Sequence, residues 1–311
     1  MRQYGVVKSL ILSIISIALI FTIYWLDSSK NVWHIGVMAA LSVLIYYVNT
    51  KAYQQAEVSL TNGRTYRRLK SYKVKKQYIF WIICSAILFE AMISGIFNLP
   101  KDTANEHRID SAIKGMTVTD SIINIGVLSP IIEEIIFRGL FYMVCSGIVI
   151  LVFNRFFKNA TKKHIDKTTG ITFVVISSIV FGMLHVIRAG DFENLAPYVL
   201  SGIIYSVLYL TTKTIYIPLL LHMLGNTIST FGSIYQAGLI GIDVAYEIAI
   251  LVILYFLIGL IVWGILHNKA FNELSMRMQN EARDLGLNKK TAAKRHILEL
   301  TRYVKEQMTM K

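Results

Sequence analysis

Cysteine is almost missing from this 311-residue chain, with two copies in all. Cys84 and Cys145 fall in separate apolar stretches and form neither a Cys-x-x-Cys pair nor a ligand-like cluster. That excludes a disulfide framework, and both read as small core residues. There is no internal repeat, no low-complexity tract, no sign of a second folded domain and no His-Glu-x-x-His pair. Inverted halves with interrupted spans are lacking too, which removes the signature of an ion-coupled transporter. No small-residue cleavage site follows the first apolar segment, which is longer than a signal-peptide core and is expected to stay as an anchor.

Apolar residues fill the space these absences leave. They make up 54% of positions, and the mean hydropathy is +0.52, far outside the soluble range. The chain reads as a polytopic all-α membrane protein. Its formal charge of +13 is therefore not a nucleic-acid signal; lysine and arginine of such a chain crowd cytoplasmic loops and grip anionic lipid.

Windows of about 20 apolar residues predict eight spans, near 9–26, 32–48, 78–98, 118 onward, 169–188, 195–212, 215–235 and 243–266. The fourth stays apolar to Phe157, too long for one straight span, with Pro130 and Gly139 as places to bend. The 49–77 loop holds eight Lys and Arg against Glu57, and the 155–168 loop five against Asp166. Both should be cytoplasmic, and eight spans with both termini inside satisfy every loop. Residues 267–311 read as a basic amphipathic cytoplasmic tail.

Ionisable groups inside these spans are costly and normally paired. Glu133, Glu134 and Arg138 stand in the fourth span. Glu134 and Arg138 are one helical turn apart in the order that favours an ion pair, which leaves Glu133, about 100° round the helix, for another partner. This stretch alone fits an enzyme or a transporter equally well. His185 in the fifth span, and His222 with Asn226 one turn apart in the seventh, favour an enzyme. A carboxylate and an imidazole aimed at one water can act as its base, and a second imidazole with an amide can stabilise the oxyanion formed at a carbonyl. On depth, His185 comes out nearer the outer face than the others. Glu90, in the third span, reads as a structural partner or a cavity border. Tyr205, Tyr209 and Tyr216 read as interface and packing aromatics, and Gly202 with Ser206 as a small-xxx-small pair for close helix approach.

Glu-Glu-x-x-x-Arg at 133–138, Phe-x-x-x-His at 181–185 and His-x-x-x-Asn at 222–226, in that order on separate spans, resemble the CAAX-protease and bacteriocin-processing (CPBP, or ABI) intramembrane peptidases. The resemblance covers about residues 118–235. It implies an eight-helix bundle around a conical cavity, with Glu133 as the base that activates water, His185 sharing that water, and His222 with Asn226 holding the oxyanion. Glu134 and Arg138 fall on supporting positions and Phe181 on an apolar wall. It further implies a peptidase without metal; a zinc site of Glu133, His185 and His222 is the alternative. The expected organisation is a three-span region at 1–117, a peptidase core at 118–266 and the tail at 267–311. The expected substrate is a membrane-associated peptide or protein, whether prenylated, bacteriocin-related or signalling. The rival reading is a catalytically silent scaffold or immunity protein that binds a membrane partner.

Overall fold

The structure is a computed structural model that describes residues 4–26, 31–59, 65–67, eight positions between 82 and 93, 103–157, 159–241 and 302. The chain divides into two compact units, 1–242 and 243–311. Of the second unit only Arg302, which is helical, is described. The expected eighth span and the amphipathic tail thus lie outside the described residues, as do Glu90, Cys84 and most of the third span.

The described fold is helical. Helix α1 runs Tyr4–Leu26 and α2 Val32–Gln55. A small hairpin follows within the basic loop, β1 (Glu57–Ser59) pairing antiparallel with β2 (Thr65–Arg67). Helix α3 (Ala104–Ile113) was not expected in the mixed 99–117 loop, although its start is readable. Thr103 caps it, and Glu106 three residues on completes a capping box. The fourth span, α4, is one helical run of 39 residues, Val118–Phe156. At 1.5 Å per residue it approaches 60 Å, about twice a ~30 Å hydrocarbon core. Within it the backbone widens twice into π-helix, at Ile122–Leu128 and Ile135–Leu140, on either side of the Ser129–Glu134 α-turns. Helices α5 (Lys162–Val186), α6 (Leu195–Thr212) and α7 (Tyr216–Gln236) follow.

Five helices among the described residues are long and apolar enough to cross a membrane: α1, α2, α4, α5 and the run ending in α6. Their outward faces stay apolar, as at Ile14, Leu19, Leu44, Ile171, Val175 and Val207, because the solvent there is lipid. With lipid as apolar as leucine, close packing and interhelical hydrogen bonds hold the bundle instead. A Cβ added at Gly202 would sit 2.9 Å from Ser178 Cα, so α5 and α6 approach at backbone distance through that glycine. Asn49 of α2 donates to Ser16 Oγ of α1 at 2.9 Å, and Tyr53 hydroxyl to Ser146 Oγ of α4 at 2.9 Å. Phe173, Tyr142 and Tyr209 close an aromatic triangle between α5, α4 and α6. Cys145 is buried and free within this core.

Candidate active site

Three helices bring the polar groups together. Glu133 Oε2 lies 3.7 Å from His222 Nε2 and 3.9 Å from His185 Nε2. His185 sits in the last turn of α5 and still reaches Glu133, so its shallow expected depth is no obstacle. The helix begins at Lys162, seven residues ahead of the expected start at 169. Glu133 keeps 18% of its side chain exposed, whereas Glu134 and Arg138 are fully buried.

Each histidine is oriented by a fixed acceptor. His185 Nδ1 lies 2.8 Å from the Phe181 carbonyl oxygen, one turn back in α5. A carbonyl only accepts, so Nδ1 carries the hydrogen and, in the neutral ring, Nε2 offers a lone pair toward Glu133. His222 Nδ1 lies 2.9 Å from Glu134 Oε1 and donates to that carboxylate. Glu134 Oε1 is also 3.0 Å from Arg138 Nη1, off line for a hydrogen bond but an ion pair at contact distance. Glu134 therefore links Arg138 to His222, a second task beyond the ion pair that the sequence suggests. Arg138 Nη2 donates to the Gly202 carbonyl at 3.3 Å, and its guanidinium plane rests on Phe181 (4.7 Å) and Tyr205 (5.1 Å).

Helix α6 supplies residues that sequence reasoning missed. Tyr198 stacks on His185 with centroids 4.7 Å apart and planes 19° apart; Tyr205 stacks on His222 at 4.9 Å and 26°. The two tyrosines are seven residues apart, two helical turns, with Gly202 between them on one face. Tyr205 is thus part of the site rather than an ordinary packing aromatic. Phe181, expected at a wall position, is buried, and its ring meets His222 edge-on at 5.9 Å.

Asn226 follows His222 by one turn. Its amide nitrogen donates to the Ile125 carbonyl at 3.2 Å, and Thr227 to the Gly126 carbonyl at 3.4 Å. Both acceptors lie in the first π-helical stretch of α4, and a Cβ at Gly126 would meet Thr227 Oγ1 at 2.6 Å. The Asn226 amide has two donor hydrogens, so one remains beyond the Ile125 bond. Glu133 and His185 line a cavity of about 390 Å³ with Tyr24, Ser129, Arg108 and Arg188. Glu133 Oε2 accepts no hydrogen bond among the described residues.

The donor set of the zinc alternative can be tested on distance. Tetrahedral zinc with ligands near ~2.0–2.1 Å separates them by about 3.4 Å. The gaps here, 3.7 and 3.9 Å from Glu133 Oε2, are wider by a few tenths of an ångström. Among the described residues no group of three or more His, Cys, Asp or Glu is arranged as a metal site.

Comparison with known proteins comes to the same segment. Residues 117–228 match the family model described as "Type II CAAX prenyl endopeptidase Rce1-like". The Bacillus subtilis (strain 168) protein named "Putative membrane peptidase YdiL" is 28% identical over 156 residues, 48% of this chain and 54% of that one. The Staphylococcus aureus (strain USA300) "Membrane-embedded CAAX protease MroQ" is 29% identical over 102 residues, 33% of this chain and 34% of that one. The chain thus spans about half the length of the first relative and a third of the second. No solved structure matches significantly. The matched segment, residues 117–228, includes Glu133, His185, His222 and Asn226.

Proposed function

We propose that this chain is an intramembrane endopeptidase that hydrolyses a peptide bond of a membrane-associated protein or peptide with water activated by Glu133 and His185, and without a metal. One observation carries the reading: two oriented imidazoles converge within 3.9 Å of the Glu133 carboxylate, which lines a cavity together with His185. The family's name and the names of both relatives support it.

A water hydrogen-bonded to Glu133 and to the lone pair on His185 Nε2 is held for attack. As its oxygen bonds to the scissile carbonyl carbon, Glu133 takes the proton, and the carbonyl π pair moves to oxygen. Collapse of the tetrahedral intermediate breaks the C–N bond, and Glu133 returns its proton to the leaving nitrogen. The second hydrogen of the Asn226 amide and His222 Nε2 are the donors for the oxyanion. His222 serves as an oxyanion donor from Nε2, while its Nδ1 stays hydrogen-bonded to Glu134, which fixes the direction of the ring.

The basic 49–77 and 155–168 loops support a cytoplasmic placement of both termini and contact with anionic lipid. The test is peptidomics of membranes carrying wild-type protein or Glu133→Gln at matched abundance. The expected result is a set of peptides that disappears in the variant. An unchanged peptide set together with an unchanged cellular phenotype would overturn the reading in favour of a membrane scaffold.

A further inference from the structure

Both contacts that Phe181 makes with His185 lie within α5. Its carbonyl oxygen takes the Nδ1 bond, and its ring meets the imidazole at 4.5 Å with planes 45° apart. These contacts orient the imidazole relative to its own helix, whereas Glu133 stands on α4. A ring tethered through one nitrogen can still swing about that bond, and the swing carries Nε2 toward or away from the carboxylate 3.9 Å off. Tyr198 meets the imidazole from another helix. It belongs to the first turn of α6 and lies nearly parallel on the ring, with centroids 4.7 Å apart and planes 19° apart. A flat stack of this kind blocks swing out of the plane but leaves sliding within it open.

Sliding is stopped at the far end of Tyr198. Its hydroxyl shares a 2.6 Å hydrogen bond with Thr103 Oγ1. Thr103 is buried and is itself held: it is the N-cap of α3, and its Oγ1 accepts from the Glu106 N–H at 3.2 Å. The N–H of the next residue, Ala104, donates to Asp191 Oδ2 at 2.8 Å. Asp191 stands in the turn that joins α5 to α6 and also accepts from Asn194 Nδ2 at 2.8 Å. The frame thus closes on itself. The α5–α6 turn holds the start of α3, α3 holds the Tyr198 hydroxyl, and Tyr198 holds the histidine at the end of α5. Helix α3 also lines the cavity through Ile109 and Ala112, so a peptide seated there rests against the helix that anchors Tyr198.

We propose that Tyr198, anchored by Thr103, is a positioning residue that holds the His185 imidazole in line with Glu133. With its hydroxyl engaged by Thr103, Tyr198 acts through His185 rather than on the substrate. Its purpose rests on the peptidase reading, in which His185 Nε2 shares the attacking water. Misplacing a reacting group by about 1 Å can cost about 10²-fold in rate. The hold of the cavity wall on the peptide is untouched by such a shift, so the loss should fall on kcat rather than on KM.

The experiment has two arms, both on the full chain in detergent. In the first, steady-state cleavage is measured with an internally quenched fluorogenic peptide that carries a cut site returned by the membrane peptidomics. Tyr198→Leu should lower kcat about 10²-fold and leave KM within about twofold, at an unchanged melting temperature. Tyr198→Phe keeps the ring and loses the anchor, so it should lose only about two- to tenfold. Thr103→Val should match Tyr198→Phe, the pair combined should fall no further than either, and Thr103→Ser should keep the wild-type rate. In the second arm, NMR spectra of chain carrying isotopically labelled histidine read the His185 ring without turnover, its signal assigned by its loss in His185→Gln. Wild type should give one sharp set with the hydrogen on Nδ1, and Tyr198→Leu a broadened or doubled one. A loss of activity carried by KM, or a His185 signal unchanged in Tyr198→Leu, overturns the proposal. Should Tyr198→Leu fail to fold, the Thr103→Val and Tyr198→Phe cycle decides, and additive losses overturn it. Peptidomics without a difference between wild type and Glu133→Gln would overturn the peptidase reading instead, and the NMR arm still decides whether Tyr198 sets the ring.

Discussion

Removing Arg138 tests the polar core most directly. The side chain is fully buried, and truncation to Ala deletes the 3.0 Å contact to Glu134, the bond to the Gly202 carbonyl and the two ring faces on Phe181 and Tyr205. What remains is a fully buried carboxylate with His222 as its partner. Breaking one side of a buried pair costs about 3–5 kcal/mol in soluble proteins. Ordinary side-chain bonds between membrane helices are worth about 0.6 kcal/mol, and at most about 1.7, so the charge imbalance outweighs the lost bonds. Set against a total stability of ~5–15 kcal/mol, Arg138→Ala should lose a large part of its folded population, and its activity with it. Glu134→Gln in the Arg138→Ala background removes the stranded charge and should recover part of the loss, as a double-mutant cycle on membrane abundance and detergent melting temperature would read. A single Arg138→Ala variant with wild-type abundance and melting temperature would refute the pairing.

Four further outcomes are expected. Asn226→Ala should slow turnover by about 10²–10³, as for other single oxyanion donors; because its amide also bonds the Ile125 carbonyl, a melting measurement is needed beside the rate. Gly202→Ala should lower melting temperature, since its Cβ would press on the Ser178 backbone at 2.9 Å, and unchanged melting would mean α5 and α6 part without cost. Activity in detergent should survive EDTA and phenanthroline; abolition by chelators with rescue by zinc would make Glu133, His185 and His222 ligands and end the metal-free proposal. A cysteine near Glu106 should label from the face opposite to one in the 155–168 loop, and labelling from the same face would break the eight-span topology.

Helix positions four to seven are legible in the sequence because each span is a long apolar run bounded by charge; Leu195–Thr212 is met to the residue. The converging residues are legible for a related reason. A polar group in such a run has no apolar role to hide behind, so Glu133, His185 and His222 stand out. The link from Glu134 to His222 is not, since helical spacing ranks neighbours along one helix and carries no information on which helices face each other. Tyr198 and Tyr205 are hidden by chemistry: tyrosine is common at interfaces, and only the stacked rings on α5 and α7 separate these two from the rest. The π-helical stretches leave no trace in composition, because the residues that widen them are the same isoleucines and leucines that fill ordinary turns.

The second widened stretch, Ile135–Leu140, gives α4 room for one residue more than a regular helix would hold. A π-turn closes on the fifth residue rather than the fourth, so it stores one residue more than an α-turn over the same arc. Deleting a single isoleucine there would let the backbone relax to regular helix while Tyr142, Cys145 and Val149 keep facing the core. The same deletion early in the α-helical stretch Phe141–Phe156 has no stored residue to draw on, and would turn everything after it by about 100°. Ile148 and Val152, now facing outward, would then leave their lipid-facing positions. For this half of the helix, where a residue is lost is a stricter constraint than which apolar residue fills the place.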